Sequence, residues 1–133
     1  MHRFMLDTNV VSHVLRHPDG PAARRFRLFG RGELCVSVIV AMELRFGAAK
    51  LGSPRLTAQI ETAASLYDVL ALDASAVDIY AALRTTLERA GTPIGPLDTL
   101  IAAHALALDL TLVTANVGEF SRVPNLKFEN WLD

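Results

Sequence analysis

The sequence is poor in the features that mark disulfide-rich, membrane-spanning or strongly basic proteins. It contains one cysteine, Cys35, which excludes a disulfide framework and a cysteine-based zinc cluster and suits a cytoplasmic location. Its longest apolar stretch, residues 100–108, falls short of the roughly 18 residues that a membrane span needs. An acid, Asp7, comes too early for a signal peptide. With 13 basic and 14 acidic residues, the formal net charge is −1, so any contact with nucleic acid must be local.

The apolar content is sufficient for one ordinary domain. Hydrophobic residues make up 51% of the 133 positions, which excludes a disordered chain, and we expect a single domain over residues 1–133. Runs of β-forming residues alternate with stretches of helical spacing, and this alternation requires crossover connections. We therefore expect an α/β fold, a three-layer α/β/α sandwich around a central, mostly parallel sheet. The predicted strands are residues 4–6, 34–36, 69–72, 112–114 and 126–128, and the clearest predicted helices cover residues 56–63 and 73–90.

The first candidate for chemistry is Asp7, which directly follows the first predicted strand. In an open α/β sheet, ligands bind at the carboxyl ends of the strands, so an acid at this position is well placed. The alternative is that Asp7 only caps a helix that begins near Val10. From the sequence, both interpretations remain open.

Glu43 lies in a strongly apolar helical stretch, residues 38–47, which we expect to be largely buried. An unpaired carboxylate there would cost several kcal/mol unless it is paired, protonated or bound to a metal ion. Arg45 is two positions further on and points away from Glu43 on a helix, so it is not the expected partner. An ion pair with a more distant arginine remains the alternative.

Asp98 follows Pro96, a residue that suits the first turn of a helix, and its simplest role is to complement the helix dipole. Against this, Ala102 and Ala105 project on the same side as Asp98, and we expect this small-residue face to leave room for a ligand. His104 lies about 240° further round the helix, away from Asp98, so we interpret it as structural.

Thr114 and Asn116 are the last candidates, and they follow the predicted strand 112–114. They therefore also lie at the carboxyl end of a strand, where Thr114 offers a hydroxyl and Asn116 a neutral amide oxygen. The alternative is an asparagine turn that caps the short helix after it.

The acids Asp7, Glu43 and Asp98 would form a cation site if the fold brought them together. Two carboxylates about 5 Å apart repel by roughly 3 kcal/mol at an effective dielectric constant near 20, so three of them must bind protons or a cation. Oxygen ligands without histidine or cysteine favour Mg²⁺ or Mn²⁺ over zinc. Such an ion suits the hydrolysis of phosphodiester bonds, and no phosphate loop, serine elbow or dinucleotide motif offers another chemistry.

A local basic segment lies between residues 16 and 31. Phe26 and Phe29 are interleaved with its arginines, a pattern that can follow a phosphate backbone and stack unpaired bases. A solvated helix face and a surface for a protein partner are the alternatives. The arginines of this segment are Arg16, Arg24, Arg25, Arg27 and Arg31.

Together these segments resemble the PIN-domain ribonucleases, and within them the VapC-type toxins of bacterial toxin–antitoxin pairs. The resemblance implies a compact α/β/α sandwich and an endoribonuclease that depends on Mg²⁺ or Mn²⁺. It also implies a homodimer that is inhibited by a VapB-like antitoxin. The C-terminal segment of such an antitoxin lies over the toxin's groove, and the toxin contacts DNA only indirectly, through the antitoxin. The residues that carry it are 5–9 (MLDTN), 38–47 around Glu43, 93–105 around Asp98 and 112–116, and the match extends to Trp131.

The resemblance places Asp7, Glu43 and Asp98 on the family's acidic positions. We expect Asp7 and Asp98 to ligate the principal ion, and Glu43 to ligate it or to position the water that attacks single-stranded RNA. Asn116 stands where many members carry a fourth acid, which puts a tight second metal site in doubt, although it can still hold water or the substrate phosphate. The expected supporting residues are Thr8, Asn9 and Thr114, and the expected contacts to RNA or a partner are Arg16, Arg24, Arg25 and Arg27.

Two other functions remain open. A haloacid-dehalogenase-like phosphatase also has an aspartate after its first strand, but it needs a second acid two residues later, where this chain has Asn9. A receiver-like or catalytically inactive scaffold domain would act only by binding a protein partner. In that case Asp7, Glu43 and Asp98 would serve as helix caps and in ion pairs.

Overall fold

A five-stranded parallel sheet forms the centre of the protein. The computed structural model describes residues 1–132. Its strands are β1 (Phe4–Leu6), β2 (Leu34–Ser37), β3 (Asp68–Leu70), β4 (Thr111–Val113) and β5 (Phe128–Glu129). Its helices are α1 (Thr8–Arg16), α2 (Pro21–Phe26), α3 (Val38–Leu51), α4 (Pro54–Ala63), α5 (Val77–Arg89), α6 (Pro96–Leu108) and α7 (Val117–Phe120). The strands lie in the order β3-β2-β1-β4-β5 with every neighbouring pair parallel, so the predicted fold class is confirmed.

The strand order of the sheet reverses at its centre. From β1 the chain adds β2 and β3 on one side, and it then returns to add β4 and β5 on the other. In open α/β sheets, a crevice for ligands forms at such a reversal, outside the carboxyl ends of the strands. Asp7 follows β1 and Thr114 follows β4, and the preceding residues Leu6 and Val113 pair in register. Both side chains therefore start from neighbouring positions in this crevice.

Helices cover the sheet, and the central strands β1, β2 and β4 are almost completely buried, whereas the edge strands β3 and β5 are partly exposed. Helices α1, α3 and α4 pack against one another, α5 packs against α6, and α3 meets α6. Met5, Leu6 and Leu112 have no exposed surface, as expected for parallel strands that are covered on both faces. No helix among residues 1–132 has the length and apolar character required to cross a membrane.

Capping residues set the helix boundaries. Asp7 caps α1, so this helix begins at Thr8 rather than near Val10. Ser37 caps α3, and Asp73 caps the short 3₁₀ turn (Ala74–Ala76) that leads into α5, at the start of the predicted helix 73–90. Strands β3 and β4 each begin one residue earlier than predicted, and β5 starts two residues later, differences of the size that helix and strand ends commonly show.

Helix α3 is less buried than its apolar sequence predicts. One stripe of residues, Val40, Leu44 and Ala48, packs into the core. Met42 and Phe46 are 59% and 68% exposed. The prediction of a largely buried helix was wrong because α3 lies in the outer layer, where only one face of a helix meets the sheet and its neighbouring helices.

The aromatic residues of the basic segment belong to the core and not to the surface. Phe26 is 5% exposed, and Phe29 stacks on Trp131 with ring centroids 5.6 Å apart. Phe4 also contacts both Phe29 and Trp131, with centroids 4.9 Å apart in each case. The interpretation of Phe26 and Phe29 as rings that stack unpaired bases was therefore wrong, because the C-terminal tryptophan covers them.

The arginines of this segment are exposed, and four of them contact neighbouring protein groups. Arg24 and Arg27 donate hydrogen bonds, each of 3.1 Å, to backbone carbonyls of the turn that precedes α2. The Arg25 guanidinium lies 5.8 Å from the centre of the Trp131 ring, and Arg31 pairs with Asp68 at 3.0 Å. These contacts match the interpretation of a solvated face over an apolar underside. A role in RNA or partner contact stays a prediction.

Candidate functional site

Asp7 is a buried carboxylate with both oxygens held by hydrogen bonds. It is 4% exposed. Its Oδ1 accepts from the Thr8 N–H at 2.9 Å, and its Oδ2 accepts from Thr114 Oγ1 at 2.9 Å and from Asn9 Nδ2 at 3.2 Å. The two interpretations of Asp7 therefore do not exclude each other. It caps α1, and it also faces the crevice at the strand reversal with its orientation fixed.

Asn9 and Thr114 tie the start of α1 to the end of β4. Asn9 Oδ1 accepts a 3.0 Å hydrogen bond from the Ala115 N–H, while its amide nitrogen donates to Asp7. Thr114 is fully buried, and its hydroxyl accepts from the Asn116 N–H at 2.9 Å while it donates to Asp7. Each donor in this network meets an acceptor, so the network holds the Asp7 carboxylate between the ends of β1 and β4.

Glu43 is joined to this network through Thr8. The Thr8 hydroxyl donates to Glu43 Oε1 at 2.7 Å, and the Thr8 backbone N–H donates to Asp7. Within residues 1–132, Glu43 forms no ion pair with any arginine or lysine, and Arg45 pairs with Glu61 at 3.1 Å. The alternative of a distant arginine as the partner of Glu43 was therefore wrong, and its carboxylate is left facing the acids.

Asp98 lies beside these acids at the start of α6, where Pro96 occupies the first turn as predicted. Burial, followed by the negative charges of Asp7 and Glu119, raises the pKa of Asp98 to about 7. Burial also raises the pKa of Asp7 above its ordinary value, and the charge of Glu43 adds to the effect. These mutual effects show that the fold brings the three predicted acids into one electrostatic group.

Glu119 is a fourth acid of this group, and the sequence analysis did not identify it. Its Oε1 accepts from the Gly95 N–H at 2.7 Å, and its Oε2 accepts from the Asn116 side-chain amide. These bonds lower the pKa of Glu119 against the opposing effect of its burial, and the neighbouring Asp98 carboxyl lowers it further. A Cβ placed on Gly95 would lie 3.6 Å from Asp98 Oδ2 and 3.7 Å from Glu119 Oε1, so both carboxylates approach one point.

The Asn116 side chain contacts Glu119. Asn116 is the N-cap residue of α7, and its backbone carbonyl accepts from the Phe120 N–H at 3.1 Å, but its side chain makes no capping bond to that helix. The alternative of a capping asparagine therefore holds for its position, while its side chain donates to Glu119. The spacing of three residues between Asn116 and Glu119, one turn of a helix, is the sequence signal that would have pointed to the pair.

Two other sequence interpretations concern α6. His104 is 2% exposed, and its Nδ1 lies 2.8 Å from the Oγ of Ser37, the cap of α3, in agreement with a structural role. Burial lowers the pKa of His104. Ala102 and Ala105 have no exposed surface, so the predicted open face of small residues was wrong. These residues let α6 pack closely into the core, and only its first turn projects into the crevice.

The donor set suits a hard divalent cation. The group consists of carboxylates with amide and hydroxyl oxygens beside them, and histidine and cysteine are absent from its contacts. Oxygen donors of this kind favour Mg²⁺ or Mn²⁺ over zinc. Within residues 1–132, no three His, Cys, Asp or Glu side chains are already arranged as a ready ligand set. The fold therefore brings the acids into one electrostatic group without completing a ligand set.

The raised pKa of Asp98 predicts a pH-dependent stability for the metal-free protein. In the folded state this carboxyl keeps its proton up to about pH 7, whereas in the unfolded chain it loses it near 3.8. The folded state thus binds more protons than the unfolded chain between these pH values. The contribution of Asp98 to the free energy of unfolding is therefore full below pH 4 and is lost as the pH rises through 7. Urea unfolding across pH 4.5 to 7.5 should show a shallower decline for Asp98→Asn than for the unmodified protein. Equal slopes would assign the decline to other groups.

Comparison with known proteins agrees with this geometry. The model of the PIN-domain family matches residues 4–126. The protein is 41% identical over 132 residues to the tRNA(fMet)-specific endonuclease VapC of Shigella flexneri, which covers 98% of this chain and 99% of that protein. It is 37% identical to ribonuclease VapC2 of Rickettsia felis, with 96% of this chain and 97% of that protein covered.

Solved structures give the same result for the fold. The structure of DNA-bound VapBC from Salmonella typhimurium superimposes with a TM-score of 0.91 at 39% identity, over 98% of this chain and 99% of that one. VapBC2 from Rickettsia felis, bound to a promoter DNA fragment, gives a TM-score of 0.88 at 36% identity over 96% and 98% of the two chains. The chain belongs to the PIN-domain family and, within it, to the VapC group.

Proposed function

We propose that this protein is a metal-dependent endoribonuclease that hydrolyses phosphodiester bonds in single-stranded or looped RNA, and that it is the toxin of a VapBC-type pair. PIN-domain ribonucleases generally depend on a divalent metal ion, and we propose Mg²⁺ or Mn²⁺ for this chain. The observation that carries the proposal is the group of four acids at the strand reversal, in which the pKa of Asp98 is raised to about 7. Buried carboxyls whose pKa is raised first by burial and then by neighbouring acids are typical of a functional site.

Each acid has a role that its contacts support. We assign Asp7 and Asp98 as ligands of the principal ion and Glu43 as a ligand or as the group that positions the attacking water. The ion, when bound, would activate water and neutralise the charge that develops on the phosphate. Thr8 holds Asp7 and Glu43 in a fixed relation, and Asn9 and Thr114 hold Asp7 from the other side, with contacts of 2.7 to 3.2 Å.

Glu119 and Asn116 form the second half of the proposed site. Because Glu119 is anchored to the Gly95 N–H and to the Asn116 amide, its carboxylate is held next to Asp98. We propose that Glu119, three positions after Asn116, serves in place of the family's fourth acid, and that it supplies the carboxylate a second ion would need. We propose that Asn116 orients Glu119.

The ends of the cleaved RNA test the proposal directly. Purified protein should cut tRNA(fMet), the RNA named for the Shigella relative, or another looped RNA in the presence of Mg²⁺. Hydrolysis by water leaves a 5′-phosphate and a 3′-hydroxyl, because the attacking oxygen comes from solvent. Ligation-based end mapping distinguishes these ends from the 2′,3′-cyclic phosphates produced by attack of the ribose hydroxyl. Cyclic phosphate ends would contradict the assigned chemistry.

The rival functions make different predictions in the same assays. A phosphatase of the haloacid-dehalogenase type would release phosphate from an aryl phosphate, and we expect none because Asn9 bonds to Asp7 and to the Ala115 backbone where a second acid is needed. An inactive scaffold domain would cut no RNA and would not be stabilised by Mn²⁺.

The groove beside the acids supports a protein partner. A groove of about 440 Å³ runs between α1, α3 and α4; Thr8 and Glu43 line it, together with leucines such as Leu15 and Leu56. The VapBC neighbours are toxin–antitoxin complexes, and two of them are bound to DNA. We propose that a VapB-like antitoxin places an apolar segment in this groove, that the toxin acts as a homodimer in the cytoplasm, and that it meets DNA only through the antitoxin.

A lysine placed in the groove should weaken inhibition by the antitoxin. Leu56→Lys puts a charge among the apolar side chains of the groove, where its desolvation opposes binding. The concentration of co-purified antitoxin that halves RNA cleavage should rise by about tenfold or more. Leu108→Lys, a change at an exposed position at the far end of α6, is the matched control. Unchanged inhibition of Leu56→Lys would place the partner elsewhere.

A further inference from the structure

Helix α3 exposes an aromatic ring next to the proposed site. Phe46 follows Glu43 by three residues, so their side chains are neighbours on the helix surface. The ring is 68% exposed, and it takes part in none of the ring contacts among residues 1–132. The other phenylalanines of the chain are buried or partly buried. Full burial of such a ring would stabilise the fold by roughly 1.5–3 kcal/mol, so its exposure at this position suggests a role in binding.

An unpaired cation continues the same face of the helix. Lys50 follows Phe46 by four residues, is exposed, and forms no ion pair within residues 1–132. At a rise of about 1.5 Å per residue it lies roughly 10 Å along the helix axis from Glu43. We call Glu43, Phe46 and Lys50 the α3 strip. It presents a carboxylate of the site, an aromatic ring and a positive charge in succession.

We propose that the α3 strip binds the nucleotides that flank the cleaved bond, with Phe46 stacked on a base and Lys50 paired with a phosphate. This inference rests on the proposed ribonuclease function and adds a substrate contact to it. Single-stranded RNA is bound by exposed aromatic rings and positive side chains along its path, because every base has a face that can stack. The rings of the basic segment, Phe26 and Phe29, are covered by Trp131, so Phe46 is the ring within reach of the acids.

This inference is tested by measuring how tightly a labelled oligoadenylate binds to Phe46 variants of a protein that cannot cleave it. In an Asp7→Asn background, which prevents cleavage, Phe46→Ala should raise the Kd by about fivefold or more, and Phe46→Trp should restore or improve it. Phe46→Leu should not restore it, because leucine keeps apolar volume but cannot stack. An abasic oligonucleotide of the same length should bind equally to all of these variants. Leu108→Ala, which removes another exposed apolar side chain, is the control and should leave the Kd unchanged.

The contact of Lys50 with a phosphate is tested separately, through the salt dependence of binding. Lys50→Ala should weaken binding of oligoadenylate and of the abasic strand alike, and it should reduce the slope of log K against log salt by about 0.7, the value for one phosphate contact on a single strand. An unchanged slope would remove Lys50 from the strip.

Three results would overturn the role of Phe46: equal Kd values for Phe46→Ala and the parent, full rescue by leucine, or a loss that is as large with the abasic strand. A loss of RNA binding that accompanies dissociation of the oligomer in sedimentation would assign the ring to a protein–protein contact instead.

RNA cleavage by the chain with Asp7 intact is measured in parallel. Its absence counts against the ribonuclease function, whereas normal cleavage with no effect of Phe46→Ala counts against the strip alone.

Discussion

Asp7→Asn is expected to abolish RNA cleavage, by at least about a hundredfold, while the protein stays folded. The substitution removes the charge that would bind the ion, and charge stabilisation at a site of this kind is commonly worth such a factor. Asparagine retains an oxygen that can accept the Thr8 N–H and is itself a favoured helix cap. The measurement is the cleavage rate with saturating Mg²⁺, together with the thermal unfolding curve of the metal-free protein.

The pKa of Asp7 adds a prediction about stability to the same variant. Because burial raises the pKa of Asp7, its stabilising contribution is present below pH 3.8 and is lost as the pH rises. At pH 7 the Asp7→Asn variant therefore regains the cost of the buried charge but loses the oxygen that accepts from Thr114 and Asn9, so the metal-free variant should stay folded with a stability near that of its parent. Asp109→Asn is the matched control, since Asp109 is an exposed acid with a left-handed φ of 54° that asparagine also tolerates. Undiminished cleavage by Asp7→Asn would refute the assignment, and a collapse of its fold would show that the carboxylate is structural.

Sequence patterns were sufficient to predict the fold class and the positions of Asp7 and Thr114 at the carboxyl ends of strands. The alternation of strand and helix signals dictates parallel strands, and Asp7 then falls at a carboxyl end whatever the details of packing. The position of Thr114 followed from the same reasoning, and the structure adds its hydrogen bond to Asp7. These predictions succeeded because each depends only on local pattern and on the direction of the chain.

The features that the sequence did not reveal depend on contacts between distant segments. Glu119 reads as an ordinary acid in the first turn of a short helix, and its anchor, the Gly95 N–H, lies 24 residues away. Phe26 and Phe46 both read as apolar helix residues. Trp131 covers Phe26, whereas within residues 1–132 the Phe46 ring on the outer face of α3 stays 68% exposed. Burial of this kind is a property of the whole fold and has no local signature.

Removal of divalent metal is expected to stop cleavage completely. Addition of Mn²⁺ to the metal-free protein, at one hundred times its Kd, should raise the melting temperature by about 5–10 °C. The stabilisation arises because the ion binds the folded acids and relieves their mutual repulsion. Asp98→Ala should lose it. Asp78→Ala is the matched control, because Asp78 occupies the first turn of α5 as Asp98 does that of α6, but it is exposed and outside the acid group.

The pKa of Asp98 makes this metal prediction quantitative. Because Asp98 holds a proton up to about pH 7, an ion that binds there must displace it. The affinity for Mn²⁺ should therefore fall about tenfold for each pH unit below 7, and calorimetry in buffers of different ionisation enthalpy should detect the released proton. In Asp98→Asn this pH dependence should disappear together with most of the affinity. Stabilisation by Mn²⁺ that is equal in the parent and in Asp98→Ala, or cleavage that persists in excess EDTA, would show that the gathered carboxylates do not hold the ion, and the proposed chemistry would fail with them.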